Sequence, residues 1–328
     1  MQASPPIRSI DLFAGIGGIR LGFESIGART VFASEWDTAA QDVYEANFGM
    51  RPHGDITRIA PHEIPDHDVL LAGFPCQPFS IIGDGKGFAD TRGTLFFSIE
   101  KILHAKQPAA FLLENVKQLR GHDGGRTLEV ILEKLDLAGY DVHVQVLNAL
   151  EFGVPQKRER IFLVGFRRDI PLSEPFVFPS GGVEMTPLDA ILENDDDVAP
   201  SFFASGAVRE SVQGRLRVEP PVPSIWHENK SGNISPLPYS CALRAGASYN
   251  YLLVNGIRRL TPREMLRLQG FPDSYRYDVT SVAQIRKQCG NSVAVPVIRA
   301  VAEQMARALG WNAQPVHASL ESGVLVGT

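Results

Sequence analysis

Cysteine is scarce in this 328-residue chain. Its three copies, Cys76, Cys241 and Cys289, are odd in number and far apart, so neither a disulfide framework nor a C-x-x-C metal site is expected. Long hydrophobic runs are missing as well. No stretch approaches the roughly 20 apolar residues that span a bilayer, and residues 1–9 have no signal-peptide core, so a cytoplasmic protein is expected. The strict G-x-G-x-x-G fingerprint is also absent, because Arg20 stands at the third glycine position, which speaks against NAD. Positive charge is in deficit: Lys and Arg total 32 against 37 Asp and Glu, a net charge of −5. That total weighs against a polyanionic partner unless the basic residues gather on one wall.

They are unevenly placed. Lys157, Arg158, Arg160, Arg167 and Arg168 form one group, Arg258, Arg259, Arg263 and Arg267 a second, and Arg209, Arg215 and Arg217 a third. If these groups share a cleft, an acidic protein can still hold phosphates there.

At 44% hydrophobic and 21% charged residues the composition is that of an ordinary globular protein, long enough for one large domain and a smaller one. From Arg8 to about Phe166, short apolar runs alternate with amphipathic stretches. The runs are 10–13, 30–33, 69–72, 109–113, 142–146 and 161–166, and the helix-like stretches are 20–26, 39–47, 95–105 and 127–138. This alternation predicts an α/β domain with a mostly parallel central sheet, whose ligands bind beyond the carboxyl ends of the strands. After Asp169 prolines recur and helical periodicity fades, which predicts a smaller loop-rich domain. At Thr261-Pro262-Arg263-Glu264 a capping signature opens a helix, and a last amphipathic helix over about 293–309 is expected to return to the first domain. The expected division is 1–168, 169–286 and 287–328.

Asp11-Leu12-Phe13-Ala14-Gly15-Ile16-Gly17-Gly18 follows the first apolar run and precedes a helix, where backbone can approach a nucleotide-type ligand. Glu35, after the second run, is suited to accept from ribose hydroxyls, Trp36 offers an aromatic face, and Asp55 can accept from an adenine amino group. In this order they point to an adenosine-containing ligand without a large pyrophosphate site, and S-adenosylmethionine fits.

Pro75-Cys76-Gln77-Pro78-Phe79-Ser80 closes a third run and places a cysteine on a stiff turn. Glu114-Asn115-Val116 closes a fourth, and Gln156-Lys157-Arg158-Glu159-Arg160 opens another. Together they suit attack on a pyrimidine. Carbon 5 of cytosine is a poor nucleophile until a thiolate adds to carbon 6, which gives Cys76 its role. Charge relief at N3 requires an acid, for which Glu114 at the end of an apolar strand is suited, with its pKa expected to rise by desolvation. Arg160, and also Arg158, can hold O2. A base in a duplex must be flipped out to reach such groups, and the glycine-rich stretch 81–93, with Lys86 and Arg92, suits a closing loop.

With these motifs in this order, the chain resembles the DNA cytosine-5 methyltransferases, particularly the compact bacterial restriction-modification type, and the likeness extends to Gln288-Cys289-Gly290-Asn291-Ser292-Val293. The resemblance implies a Rossmann-like S-adenosylmethionine-dependent domain and a target-recognition domain in which about 169–256 is the variable stretch. It implies Cys76 as nucleophile, Glu114 at N3, and Arg158 and Arg160 as site arginines. Phe13, Gly15, Gly17, Glu35, Trp36, Asp55, Ile56, Leu95, Asn291 and Ser292 are the implied cofactor residues. Ser80, Lys86, Arg92, Arg209, Arg215 and Arg244 are candidates for DNA contact. At Leu243-Arg244-Ala245 the chain departs from the Thr-Leu that the family often carries. A monomer acting on double-stranded DNA is expected, with no metal and with a cognate endonuclease as a separate protein. An RNA cytosine-5 methyltransferase on the same scaffold, or a silent DNA-binding relative, stays open. Transfer to an amino group is disfavoured, because no Asp/Asn-Pro-Pro-aromatic turn occurs.

Overall fold

The computed structural model describes residues 6–75 and 94–311. These divide into two compact units. The first takes the chain up to Leu147, Glu159–Pro179, and the chain from Ile298; the second takes Asn148–Arg158 and Ser180–Val297. The second unit therefore claims 148–158 and begins again at 180, where the sequence pattern had suggested one break near 168.

In the first unit, strands β1 (Arg8–Leu12), β2 (Arg29–Ser34), β3 (Val69–Gly73), β4 (Ala110–Val116), β5 (Tyr140–Asn148) and β7 (Glu159–Arg167) form one sheet in the order β2-β1-β3-β4-β7-β5. The pairs β1–β2, β1–β3 and β3–β4 are parallel, while β7 runs antiparallel to β4. Strands β3 and β4 are buried almost end to end, the mark of a sheet covered on both faces. Their side chains join Ile99, Leu103 and Ile131 in one core. The helices α1 (Gly18–Glu24), α2 (Thr38–Phe48), α3 (Thr94–Lys106) and α4 (Arg126–Leu137) fall where the amphipathic stretches predicted them. Gly22 lets α1 approach the final helix α8 (Val295–Ala308): a Cβ on Gly22 would meet Ile298 Cγ2 at 2.4 Å.

The second unit holds the two-residue strands β6 (Gln156–Lys157) and β10 (Ser240–Cys241), paired in parallel. It also holds the antiparallel sheet β11-β8-β9 made of β8 (Ile225–Glu228), β9 (Ile234–Leu237) and β11 (Leu252–Val254). Two helices lie where no periodicity had marked them individually, α5 (Gly206–Gln213) and α7 (Val282–Asn291); each begins at a serine whose hydroxyl accepts a backbone N–H. The predicted cap of α6 (Pro262–Leu268) is present, with the Thr261 hydroxyl accepting from Glu264 N and Glu264 accepting from Thr261 N.

Glu264 does more than cap. Its carboxylate, with no exposed surface, pairs with the equally buried Arg258 at 2.8 Å, and Arg258 also pairs with Asp195. Arg258 is thus a structural ion of the second unit and does not belong to a phosphate-binding wall. Glu264→Ala leaves that guanidinium under-compensated and is expected to cost about 3–5 kcal/mol in urea unfolding. A loss under about 1 kcal/mol would show that the pair is dispensable.

Candidate active site

Because β1, β3 and β4 are parallel, their carboxyl ends share one edge of the sheet. Glu114 lies near the end of β4, opposite Gly73 of β3 on one side and Phe162 of β7 on the other. Arg160 is two residues before Phe162, so it faces the same side of the sheet as Glu114. Its Nε lies 3.0 Å from Glu114 Oε1, and both side chains are largely buried. Burial lowers the Arg160 pKa and the neighbouring carboxylate raises it. Glu159 points the other way and pairs with Lys117 at 2.8 Å. A Cβ at Gly73 would sit 3.6 Å from Glu114 Oε2, an ordinary van der Waals contact, which places the carboxylate directly beside the β3 backbone.

Asn115 supplies a tie that the motif reading had not used. Its buried amide donates to Phe74 O at 2.9 Å and so fixes the end of the chain segment leading to Pro75. Cys76, Ser80, Lys86 and Arg92 lie outside the described residues.

At the same edge, the turn after β1 has Phe13, Gly15 and Gly17 at φ 55°, 54° and 79°. Gly15 N donates to Glu35 Oε2 and Asp37 N to Glu35 Oε1, each at 2.8 Å. The carboxylate thereby joins the turns after β1 and β2. Burial pushes the Glu35 carboxyl up, against these backbone bonds. Trp36, beside it, is 81% exposed. Asp55 accepts from Thr57 N and Oγ1, Ile56 is buried, and Leu95 stands half-buried in the first turn of α3. An open glycine turn at positive φ, with no atom within 4 Å of where a Gly15 Cβ would be, and a bare indole beside a fixed carboxylate suit an adenosine-type ligand.

Beneath this turn lies a group that the sequence reading missed. The buried Tyr44 hydroxyl donates to Asp11 Oδ2 at 3.3 Å and accepts from Arg20 Nη1 at 3.2 Å, while Arg20 pairs with Glu24 at 2.6 Å and lies 4.1 Å from the Phe48 ring centre. Burial pushes the Asp11 carboxyl up to about 8. An acid inside the apolar run Ile10–Leu12 was the available signal.

Six of the expected site residues fall in the second unit: Arg158, Arg209, Arg215, Arg244, Asn291 and Ser292. Arg158 has its guanidinium on the carbonyls of Leu243 (3.0 Å), Gly290 (3.1 Å) and Ser292, and is 2% exposed. This corrects its placement as an O2-holding arginine: its N–H groups are spent on backbone. Ser292 follows α7 and Asn291 ends it. Arg209 is exposed on α5, whereas Arg215 is satisfied by Glu228 at 2.6 Å and by Gly232 O, which leaves it poorly placed to meet DNA.

The model of the C-5 cytosine-specific DNA methylases matches residues 7–195 and 191–307. The chain belongs to that family. It is 62% identical over 293 residues to the Type II methyltransferase M.NgoBI of Neisseria gonorrhoeae, covering 89% of this chain and 91% of that one. Identity is 56% to M.HaeII of Haemophilus aegyptius, over 97% and 98% of the two chains. It is 40% to M.HhaI of Haemophilus parahaemolyticus, over 93% and 96%. Among solved structures, a DNMT2 of Spodoptera frugiperda superposes with a TM-score of 0.72 at 21% identity over 91% and 99% of the chains, which supports the fold alone. The expected α/β methyltransferase architecture is therefore correct, and membership makes the chain a DNA (cytosine-5) methyltransferase whose methyl donor is S-adenosylmethionine. No helix among the described residues is long and apolar enough to cross a membrane.

The Asp11 shift has a consequence for pH. A carboxyl whose folded pKa is about 8 and whose unfolded pKa is near the ordinary 4 retains in the folded chain a proton that the unfolded chain releases. Stability is then lost as pH rises from about 4 to about 8. Asp11→Asn is expected to flatten the fall of Tm over that window; equal slopes for the two proteins would show that Asp11 does not titrate this way.

Proposed function

We propose that the chain is a bacterial Type II modification enzyme that flips a cytosine out of duplex DNA and methylates it at C5 within a short sequence. The observation that carries this reading is the Glu114–Arg160 pair at the carboxyl edge of β4, beside the β3 end that Asn115 pins two residues before Cys76. In the proposed cycle the Cys76 thiolate adds to C6. Glu114, oriented by Arg160, carries the proton shared with N3, so that the ring electrons reach C5 as an enamine. Arg160 also supplies positive charge beside O2. Phe13, Gly15, Gly17, Glu35, Trp36, Asp55, Ile56 and Leu95 hold S-adenosylmethionine at the glycine turn; Asn291 and Ser292, in the second unit, are the further cofactor residues that the family likeness implies. The bound donor supplies an electrophilic methyl group. Loss of the C5 proton and expulsion of Cys76 then restore the aromatic ring.

In this reading the stretch 180–286 reads the target and the chain from Ile298 completes the first unit. The enzyme acts as a cytoplasmic monomer on a site shared with a separate endonuclease. An RNA substrate is disfavoured, because relatives at 62% and 56% identity are Type II methyltransferases.

Conversion sequencing of DNA from a host without cytosine methylation, expressing the wild type or Cys76→Ala, tests the reading. Methylation at one short motif in the wild type alone is expected. Soluble wild-type protein that binds S-adenosylmethionine yet leaves DNA unmodified would move the assignment to RNA or to a silent relative. Glu114→Gln, with the polar bulk kept, is expected to lower the rate by about 100-fold or more.

A further inference from the structure

Many arginines among the described residues are paired with acids: Arg8 with Asp68, Arg51 with Asp42 and Glu45, Arg168 with Asp136 and Asp141, Arg267 with Asp273. Three arginines of the second unit are different. Arg244, Arg259 and Arg286, distant in sequence, line one pocket together with Tyr249 and Tyr251, and no carboxylate lines it.

The two rings organise the three cations. The Arg259 and Arg286 guanidiniums lie 4.6 and 4.7 Å from the Tyr249 ring centre, and those of Arg244 and Arg286 lie 4.7 and 6.0 Å from that of Tyr251. The Tyr251 hydroxyl accepts from Arg244 N at 2.9 Å, which fixes the backbone that presents Arg244. Neutral acceptors take some of the remaining N–H groups: Asn250 Oδ1 and Ser201 O for Arg259, and the carbonyls of Ala247 and Ser248 for Arg286. None of these cancels a charge. The exposed Arg244 guanidinium has no hydrogen bond or ion pair with any described residue.

We infer that this arginine–tyrosine ladder is a seat for backbone phosphates of the DNA substrate. Three cations with no facing acid demand an anion, and guanidiniums held against aromatic faces lose little freedom on meeting one. Arg259 and Arg286 have spent part of their donor forks on carbonyls and an amide. They are poorly suited to the two-pronged contact that reads a guanine edge and well suited to a phosphate oxygen. The ladder therefore supplies affinity and register, and base reading falls to other residues of the second unit. The inference rests on the DNA reading of the previous subsection.

The test measures binding by fluorescence anisotropy for two duplexes of equal length, one carrying the methylated motif and one scrambled, between about 50 and 300 mM salt. Wild type, Arg244→Gln, Arg286→Gln and the charge-keeping Arg286→Lys are compared after thermal melts show intact folding. The ladder predicts that each Gln variant weakens both duplexes several-fold and lowers the salt slope by about 1, while Arg286→Lys keeps the wild-type slope. An unchanged slope in Arg244→Gln, or a loss confined to the motif duplex, overturns the phosphate seat. Arg244 makes no polar side-chain contact, so this variant stays informative if Arg286→Gln does not fold. Failure of the wild type to bind either duplex is a separate outcome, which sinks the DNA reading along with the ladder.

Discussion

The active edge depends on one reversal of strand direction. With β1, β3 and β4 parallel, the turns after each of these strands arrive at one side of the sheet. Strand β7 runs antiparallel to β4, so its beginning, and not its end, comes to that side. Were β7 parallel, Arg160 would lie at the far edge, about five residues of strand away from Glu114 at roughly 3.3 Å per residue. Reversal puts a cation beside a carboxylate that is almost out of water, and neither is affordable alone in that position. The same pairing frame sets Gly73 opposite Glu114, so the acid lies against the β3 backbone.

A second constraint works from underneath. Asp11, one residue before the end of β1, is fully buried, and the Tyr44 hydroxyl meets it while accepting from Arg20. Oδ1 of Asp11 has no hydrogen-bond partner among the described residues, and burial raises the carboxyl pKa to about 8. Above it, Glu35 spends both oxygens on backbone N–H groups of two different turns. The edge that carries the glycine turn is thus built from carboxylates that organise backbone.

The parts of this architecture that were legible in the sequence are those set by local chemistry. Strands β3 and β4 are buried almost end to end and coincide with the apolar runs 69–72 and 109–113; the α6 cap is closed by residues three apart. The parts that were not legible depend on distant partners. Arg158 and Arg160 are the same residue type two positions apart in one motif. One meets Glu114, and the other meets carbonyls at 243, 290 and 292, from 85 to 134 positions away. Spacing alone could not separate them. Helix α5, with eight residues, is too short to show a clear period, and its serine cap sits in a stretch whose prolines suggested only loops.

Clustering of arginine along the chain proved a weak guide to where positive charge is available. Of the group at 258–267, Arg258 is consumed by Asp195 and Glu264, Arg267 by Asp273, and Arg263 donates to the carbonyls of Pro272 and Tyr275. Among the described residues Arg259 and Arg263 pair with no acid, and Arg259 lays its guanidinium over Tyr249 beside an arginine 27 positions later. A chain with five more acidic than basic residues can therefore hold a polyanion without a basic face visible in its composition. It needs only to withhold carboxylates from a few cations and stiffen them against aromatic rings, because the local field falls off within about 8 Å in physiological salt and the distant acids are screened.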